Sequence, residues 1–146
     1  RQNWYRLDEQ IRQSIVMMEP KWSEKEIEFD VDMMDVEYLG NENLICHVWD
    51  NLLSNAIKFS PCGGTIYIRM MPEGEKIRFS IENEGPQISE YSMKHIFDKF
   101  YQGDSSHKQE GNGLGLALVK QILNLCMGTV SVENIPGSGC RFTVIL

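Results

Sequence analysis

The sequence has no cysteine pair at metal or redox spacing. Cys46, Cys62, Cys126 and Cys140 stand far apart in 146 residues, which excludes a Cys-x-x-Cys zinc or thioredoxin-like site and predicts free thiols in a reducing compartment. No apolar run approaches the roughly 20 residues a bilayer-spanning helix needs. The stretch Leu114 to Val119 is broken by Gly115 and no signal peptide is visible, so the chain reads as soluble. Positive charge is scarce: 14 Lys and Arg stand against 21 Asp and Glu, a net charge of -7. Non-specific attraction to nucleic acid or anionic lipid is therefore disfavoured, and any phosphate site has to be local. There is no internal repeat, no low-complexity tract and no Gly-Lys-Ser/Thr, which excludes a P-loop.

What is present fits one compact domain. The composition is 42% apolar and 24% charged, average for a globular protein, and a chain of this length buries roughly 68–70% of its unfolded surface. The first residue is Arg1, so a segment of a longer protein is expected.

Apolar residues at Leu7, Ile11, Ile15 and Met18 predict an amphipathic helix over Tyr5 to Met18, ended by Pro20. Ile27, Phe29, Val31 and Met33 alternate with acidic residues, the pattern of a strand with one buried face. Two adjacent rows, Leu44/Val48/Leu52/Ala56 and Ile45/Trp49/Leu53/Ile57, predict a long helix over Asn43 to Phe59, stopped by Pro61 and Gly63-Gly64. Thr65 to Met71 and Lys76 to Glu82 read as a hairpin joined by Pro72-Glu73-Gly74. A short helical piece carries Met93, Ile96, Phe97 and Phe100, Gly113 to Cys126 has helical spacing, and Thr129 to Glu133 and Cys140 to Leu146 alternate as strands. The order α-β-α-β-β-α-β-β predicts a two-layer α/β sandwich, its mixed, mainly antiparallel sheet covered by helices on one face.

Asn51, Asn55 and Lys58 fall within an arc of about 60° on the long helix, opposite much of its apolar surface. Stacked amide oxygens suit a hydrated Mg²⁺ shared with phosphates, and Lys58 one turn on suits a phosphate; a solvated helix face fits the spacing as well. Gly111-Asn112-Gly113-Leu114-Gly115-Leu116 runs directly into a helix, whose N-terminus favours anions, although a flexible loop with a glycine-eased helix start reads equally well. A dinucleotide fingerprint fails, since its third glycine would fall at Leu116 and no strand precedes the cluster. Asn83, at the end of a buried strand before Gly85-Pro86, is placed either to hydrogen-bond a ligand edge or to make a turn. Phe97 and Phe100 precede a Gly-, Ser- and Gln-rich stretch, as anchors of a mobile lid or as core.

In order and spacing these segments resemble the catalytic ATP-binding domain of sensor histidine kinases, within the ATPase superfamily of gyrase and heat-shock chaperones. Asn51 to Phe59 resembles that family's N box, Asn83-Glu84-Gly85 its first glycine box, Phe97 to Phe100 its F box, and Gly111 to Gly115 its second glycine box. The resemblance implies a Bergerat-type fold binding ATP and Mg²⁺. Asn51 and Asn55 would hold the metal, and Lys58 would lie near the phosphates with Asn51 and Asn55 as the catalytic set. Phe59 would flank the adenine and Asn83 would face its amino group. Gly85, Ile88, Phe97, Phe100 and Tyr101 would complete the pocket. Gly111, Asn112, Gly113, Leu114, Gly115 and Leu116 would cradle the phosphates under a lid spanning Tyr101 to Glu110. Residues 1–20 would be a linker helix from an upstream dimerisation segment, packed on a catalytic domain of residues 21–146.

The implied partners are a histidine-bearing dimerisation domain of the same protein and, through it, a response regulator. The segment itself is expected to be monomeric, the full-length protein a homodimer, and the domain to lie on the cytosolic side of a membrane sensor. Asn83 stands where the family usually has Asp and Gln87 where it has a second glycine, which predicts weaker nucleotide affinity. Lys99, Gln102 and Lys108 stand where relatives carry Arg. Asn51 occupies the position of the Glu that activates water in ATP-hydrolysing relatives and cannot act as a base, so transfer is expected over hydrolysis. None of His47, His95 and His107 has the acidic neighbour of a phosphoacceptor motif, and His47 is expected to be packed or at a boundary. A related ATPase or serine kinase, and a degenerate partner-binding domain, are the rival readings.

Overall fold

The computed structural model describes residues 1–102 and 114–146. Its main sheet runs β2 (Glu28–Met33), β4 (Thr65–Glu73), β5 (Lys76–Glu84), β7 (Gly139–Ile145), β6 (Thr129–Ile135). The β2–β4 pair is parallel, linked through the long helix α3 (Glu42–Phe59), and the other pairs are antiparallel. Helices α1 (Leu7–Met17) and α5 (Gly115–Leu125) join α3 over one face. This is the expected two-layer sandwich. The period-two pattern sends Ile66, Ile68, Phe79, Ile81, Phe142 and Val144 inward against Trp49, Leu52 and Leu53 of α3, and the Trp49 and Phe79 rings lie 4.7 Å apart. All four cysteines are free, as expected.

Several elements differ from the expectations. The chain does not enter a helix at Tyr5. Asn3–Arg6 is a strand, β1, paired antiparallel with β3 (Glu37–Gly40), with Tyr5 packed edge-on against Tyr38 at 6.0 Å. Its partner lies some thirty residues away, beyond the reach of local periodicity. Pro20 does not close the helical region. It sits in the first turn of a second helix, α2 (Glu19–Glu24), where its missing N–H is no loss. Val31 is 37% exposed although its alternation pointed inward, because β2 is an edge strand; α2 covers Phe29 through Trp22, 5.3 Å away, and stops there. The hairpin strands run through Pro72 and Glu73, and the turn is Gly74-Glu75, with Gly74 at φ 63°. Pro72 is tolerated because β4 has passed its last β2 partner, Met70, and needs no donor there.

Asp8 ties the N-terminal elements together. Its wholly buried carboxylate accepts from the Arg6 guanidinium at 2.6 and 2.9 Å, from Arg12 at 3.0 Å and from the Val36 amide at 3.1 Å. The Leu7 amide returns a bond to the Val36 carbonyl. The Arg6 hydrogen bonds, opposed by burial and reinforced by the Val36 amide, hold the carboxyl well below the usual carboxylate range. Asp8→Asn removes the charge and should cost about 2 kcal/mol at pH 7 in urea unfolding. A depressed folded pKa gives stability that is complete above the unfolded value of about 4 and lost as pH falls below it, so the wild-type advantage should shrink from about pH 4 downward. A pH-independent difference would contradict this account.

Candidate functional site

Helix α3 is fixed at both ends. Asn41 caps it by accepting from the Leu44 amide at 3.1 Å, and Ser60 Oγ donates to the Ala56 carbonyl at 2.8 Å. Lys25 Nζ donates to the last carbonyls, Ile57 at 2.8 Å and Lys58 at 3.1 Å, a cation at the negative helix end. With the apolar rows buried, Asn51, Asn55 and Lys58 emerge half-buried on the opposite side. The Asn51 Nδ2 donates to the His47 carbonyl at 2.7 Å, which leaves its Oδ1 turned toward the start of α5. A Cβ at Gly115 would stand 2.7 Å from that oxygen, so only glycine allows this approach without displacing Asn51. The Asn55 side chain makes no hydrogen bond among the described residues, and its backbone belongs to the α3 ladder. The start of α5 carries no side-chain cap. The Asn51 carboxamide oxygen thus meets a helix start that has no side-chain cap, with Asn55 one turn further along α3, a set of groups that suits a hydrated metal and phosphate oxygens.

The second wall comes from the sheet. Asn83 lies on the inward face of β5, in register with Ile66 and Cys140, and is 2% exposed. Its Nδ2 donates to the Glu84 carbonyl at 2.9 Å, while its Oδ1 receives only the Cys140 Sγ at 3.7 Å among the described residues. Burial pushes the Cys140 thiol up to about 11, with Glu82 adding to the effect, so the sulfur keeps its proton as a weak donor. The Asn83 carbonyl is therefore a buried acceptor that could take a stronger donor. Gly85 follows at φ 142°, where a Cβ would lie 2.5 Å from the Phe59 carbonyl, and this packs the strand end against the end of α3. Phe59 is half-buried there, with Lys58 Nζ 5.3 Å from its ring centroid.

Ile88 is held from outside the expected motifs. Its amide donates to Asn134 Oδ1 at 2.8 Å, Asn134 Nδ2 donates back to the Ile88 carbonyl at 2.9 Å, and Gln87 Nε2 donates to the Ile135 carbonyl at 3.1 Å. Sequence reading missed Asn134, Lys25 and Cys140; only Asn134, just before the Pro136-Gly137 turn, stood near a readable signal. Helix α4 (Glu90–His95) ends sooner than expected. Phe97 then packs edge-on against Phe142 at 6.1 Å, whereas Phe100 lies outside the helix, 70% exposed at φ 65°. Lys99 is exposed, and Tyr101 shares a hydroxyl hydrogen bond with Ser92. Leu114 and Leu116 are half-buried beside Gly115. His47 is exposed, beyond the packed or boundary position expected, because it falls just off the apolar arc of α3. Lys108, Gly111, Asn112, Gly113, His107 and nearly all of the expected lid lie outside the described residues.

Residues 40–146 match the family described as histidine kinase-, DNA gyrase B-, and HSP90-like ATPase, and the chain belongs to that family. Within it, both sequence and fold align with histidine kinases. The chain is 34% identical over 122 residues to the heme sensor protein HssS of Staphylococcus saprophyticus, a match covering 84% of this chain and 26% of that protein. It superposes on a mycobacterial sensor histidine kinase, MprB, with a TM-score of 0.91 at 27% identity over 99% of this chain and 97% of that one. It also superposes on the histidine kinase ThkA, solved with the response regulator protein TrrA, with a TM-score of 0.83 at 26% identity over 99% of this chain and 41% of that one. The chain spans about a quarter of the length of the curated relative HssS. No described helix is long and apolar enough to cross a membrane.

Gly85→Ala should cost about 2 kcal/mol, because both its φ and the Phe59 carbonyl oppose a Cβ. Urea unfolding with an unchanged slope checks this; wild-type stability would show that the backbone relaxes freely.

Proposed function

We propose that this chain is the ATP-binding catalytic domain of a two-component sensor histidine kinase, and that it transfers the γ-phosphoryl group of ATP to a histidine on a separate dimerisation segment. The observation that carries the reading is the approach of the Asn51 carboxamide to the start of α5 at Gly115. Phosphoryl transfer asks a protein for positioning and charge neutralisation more than for covalent help. Magnesium, when bound with the nucleotide, supplies charge neutralisation on the phosphates. Asn51 and Asn55 offer it carboxamide oxygens, and Lys58 supports the phosphates. The backbone amides of Gly111 to Leu116 are assigned to the phosphates, and Lys99 and Lys108 are assigned as their cations.

Phe59 flanks the adenine, and Asn83 Oδ1 accepts from its amino group with Cys140 giving way. Gly85, Ile88, Phe97, Phe100 and Tyr101 complete the enclosure. A neutral amide at Asn83 makes a weaker hydrogen bond than a carboxylate, so affinity is lower than in a chain carrying Asp there. Asn51 has no acid–base capacity for activating water, which favours transfer over hydrolysis. The acceptor segment, a homodimeric parent protein, a response regulator served through that segment, a cytosolic placement and a linker role for residues 1–20 complete the proposal. It draws on the sensor kinases among the relatives and on ThkA, solved with its response regulator. A partner-binding domain without catalysis is the second reading, favoured by Asn83 and Gln87 at positions where the family usually has Asp and glycine.

Incubation with Mg-ATP and the histidine-bearing segment should place acid-labile phosphate on that segment. Asn55→Ala should slow the transfer about 100-fold, or ~2.7 kcal/mol. Binding without transfer would favour the partner-binding reading, and no binding at millimolar nucleotide would overturn both.

A further inference from the structure

One cluster of metal-ligating side chains lies outside the nucleotide pocket. On the first half of α3, Cys46 Sγ, a His47 ring nitrogen and an Asp50 carboxylate oxygen all lie within 4.8 Å of one another. Helical geometry explains the grouping: at 100° per residue, Asp50 falls about 40° from Cys46 and His47 about 100°, so the carboxylate sits between the other two donors. The carboxylate is oriented by a partner outside the cluster. Ser14 Oγ, 7% exposed on α1, donates to Asp50 Oδ1 at 2.7 Å, the kind of outer contact that fixes a ligating carboxylate. Cys46 is half-buried and among the described residues its Sγ is engaged only with the carbonyl of its own helix at Asn43, while His47 is exposed and free to change rotamer.

We propose that Cys46, His47 and Asp50 form a binding site for a borderline divalent cation of the zinc class, separate from the magnesium-nucleotide pocket. A sulfur, an imidazole nitrogen and a carboxylate oxygen match the donors zinc takes, whereas magnesium takes oxygen. Bonds of about 2.0 to 2.3 Å in a tetrahedron place donors roughly 3.3 to 3.8 Å apart, so the cluster closes by about an ångström through side-chain rotation. Water fills the fourth position. Binding releases the Cys46 thiol proton to solvent as the sulfur becomes a thiolate. The site joins α1 to α3 through Ser14, and it lies one turn before Asn51, whose Nδ2 is bonded to the His47 carbonyl.

Cobalt(II) alone, titrated into the reduced protein without nucleotide, tests this. The expected result is one ion per chain with a sulfur-to-cobalt charge-transfer band in the near ultraviolet. The band should vanish in Cys46→Ser, and affinity should fall at least tenfold in His47→Gln and in Asp50→Asn, whose side-chain oxygen can still accept from Ser14. Circular dichroism separates lost binding from lost fold, and zinc should protect Cys46 from thiol labelling in the wild type. Absence of the band at millimolar cobalt, its persistence in Cys46→Ser, or unchanged affinity in folded His47→Gln would overturn the proposal.

Discussion

The close approach of α3 and α5 is the constraint on which the rest of the structure depends. At Gly115 no side chain stands between the α5 backbone and the Asn51 carboxamide, and this brings that amide against the positive end of a helix. Everything else in the fold serves that meeting. The apolar rows of α3 settle on the inward residues of β4, β5 and β7, which fixes the rotation of α3 and turns Asn51, Asn55 and Lys58 away from the core. Gly85 lets β5 reach the Phe59 carbonyl, so the end of α3 lies against the strand end that carries the buried Asn83.

The arrangement reconciles an acidic protein with an anionic ligand. A net charge of -7 gives no long-range attraction for a triphosphate. In the proposed function the attraction is local instead, drawn from a helix start without a side-chain cap, carboxamide oxygens suited to a metal and the Lys58 ammonium beside Phe59. The polar groups are distributed accordingly. Arg6, Arg12, Arg69 and Arg141 are paired with carboxylates on other surfaces, and Lys25 is spent on the end of α3.

Much of the fold was legible in the sequence because its elements follow local periodicity. The two apolar rows of α3, the alternation of β4 through β7 and the glycine-led start of α5 were all readable in this way. Long-range pairing was not: Asn3–Arg6 is a strand only because Glu37–Gly40 lies beside it, and Val31 is exposed only because β2 is at the sheet edge. The site was legible as far as its motifs extend, in the Asn51, Asn55, Lys58 line and in Asn83-Glu84-Gly85. Its supports were not, since Asn134, Lys25 and Cys140 act across 32 or more residues of chain, where composition and spacing carry no signal. Phe97 and Phe100 looked equivalent in the sequence, yet the end of α4 sets one against the core and the other in solvent.

Paramagnetic NMR with manganese in place of magnesium tests the central claim most directly. With nucleotide present, the account predicts strongest broadening at the Asn51 and Asn55 side-chain amides and at the Gly115 and Leu116 backbone amides, dependent on the nucleotide. Broadening centred elsewhere, or absent from either helix, would contradict a pocket assembled between α3 and the start of α5.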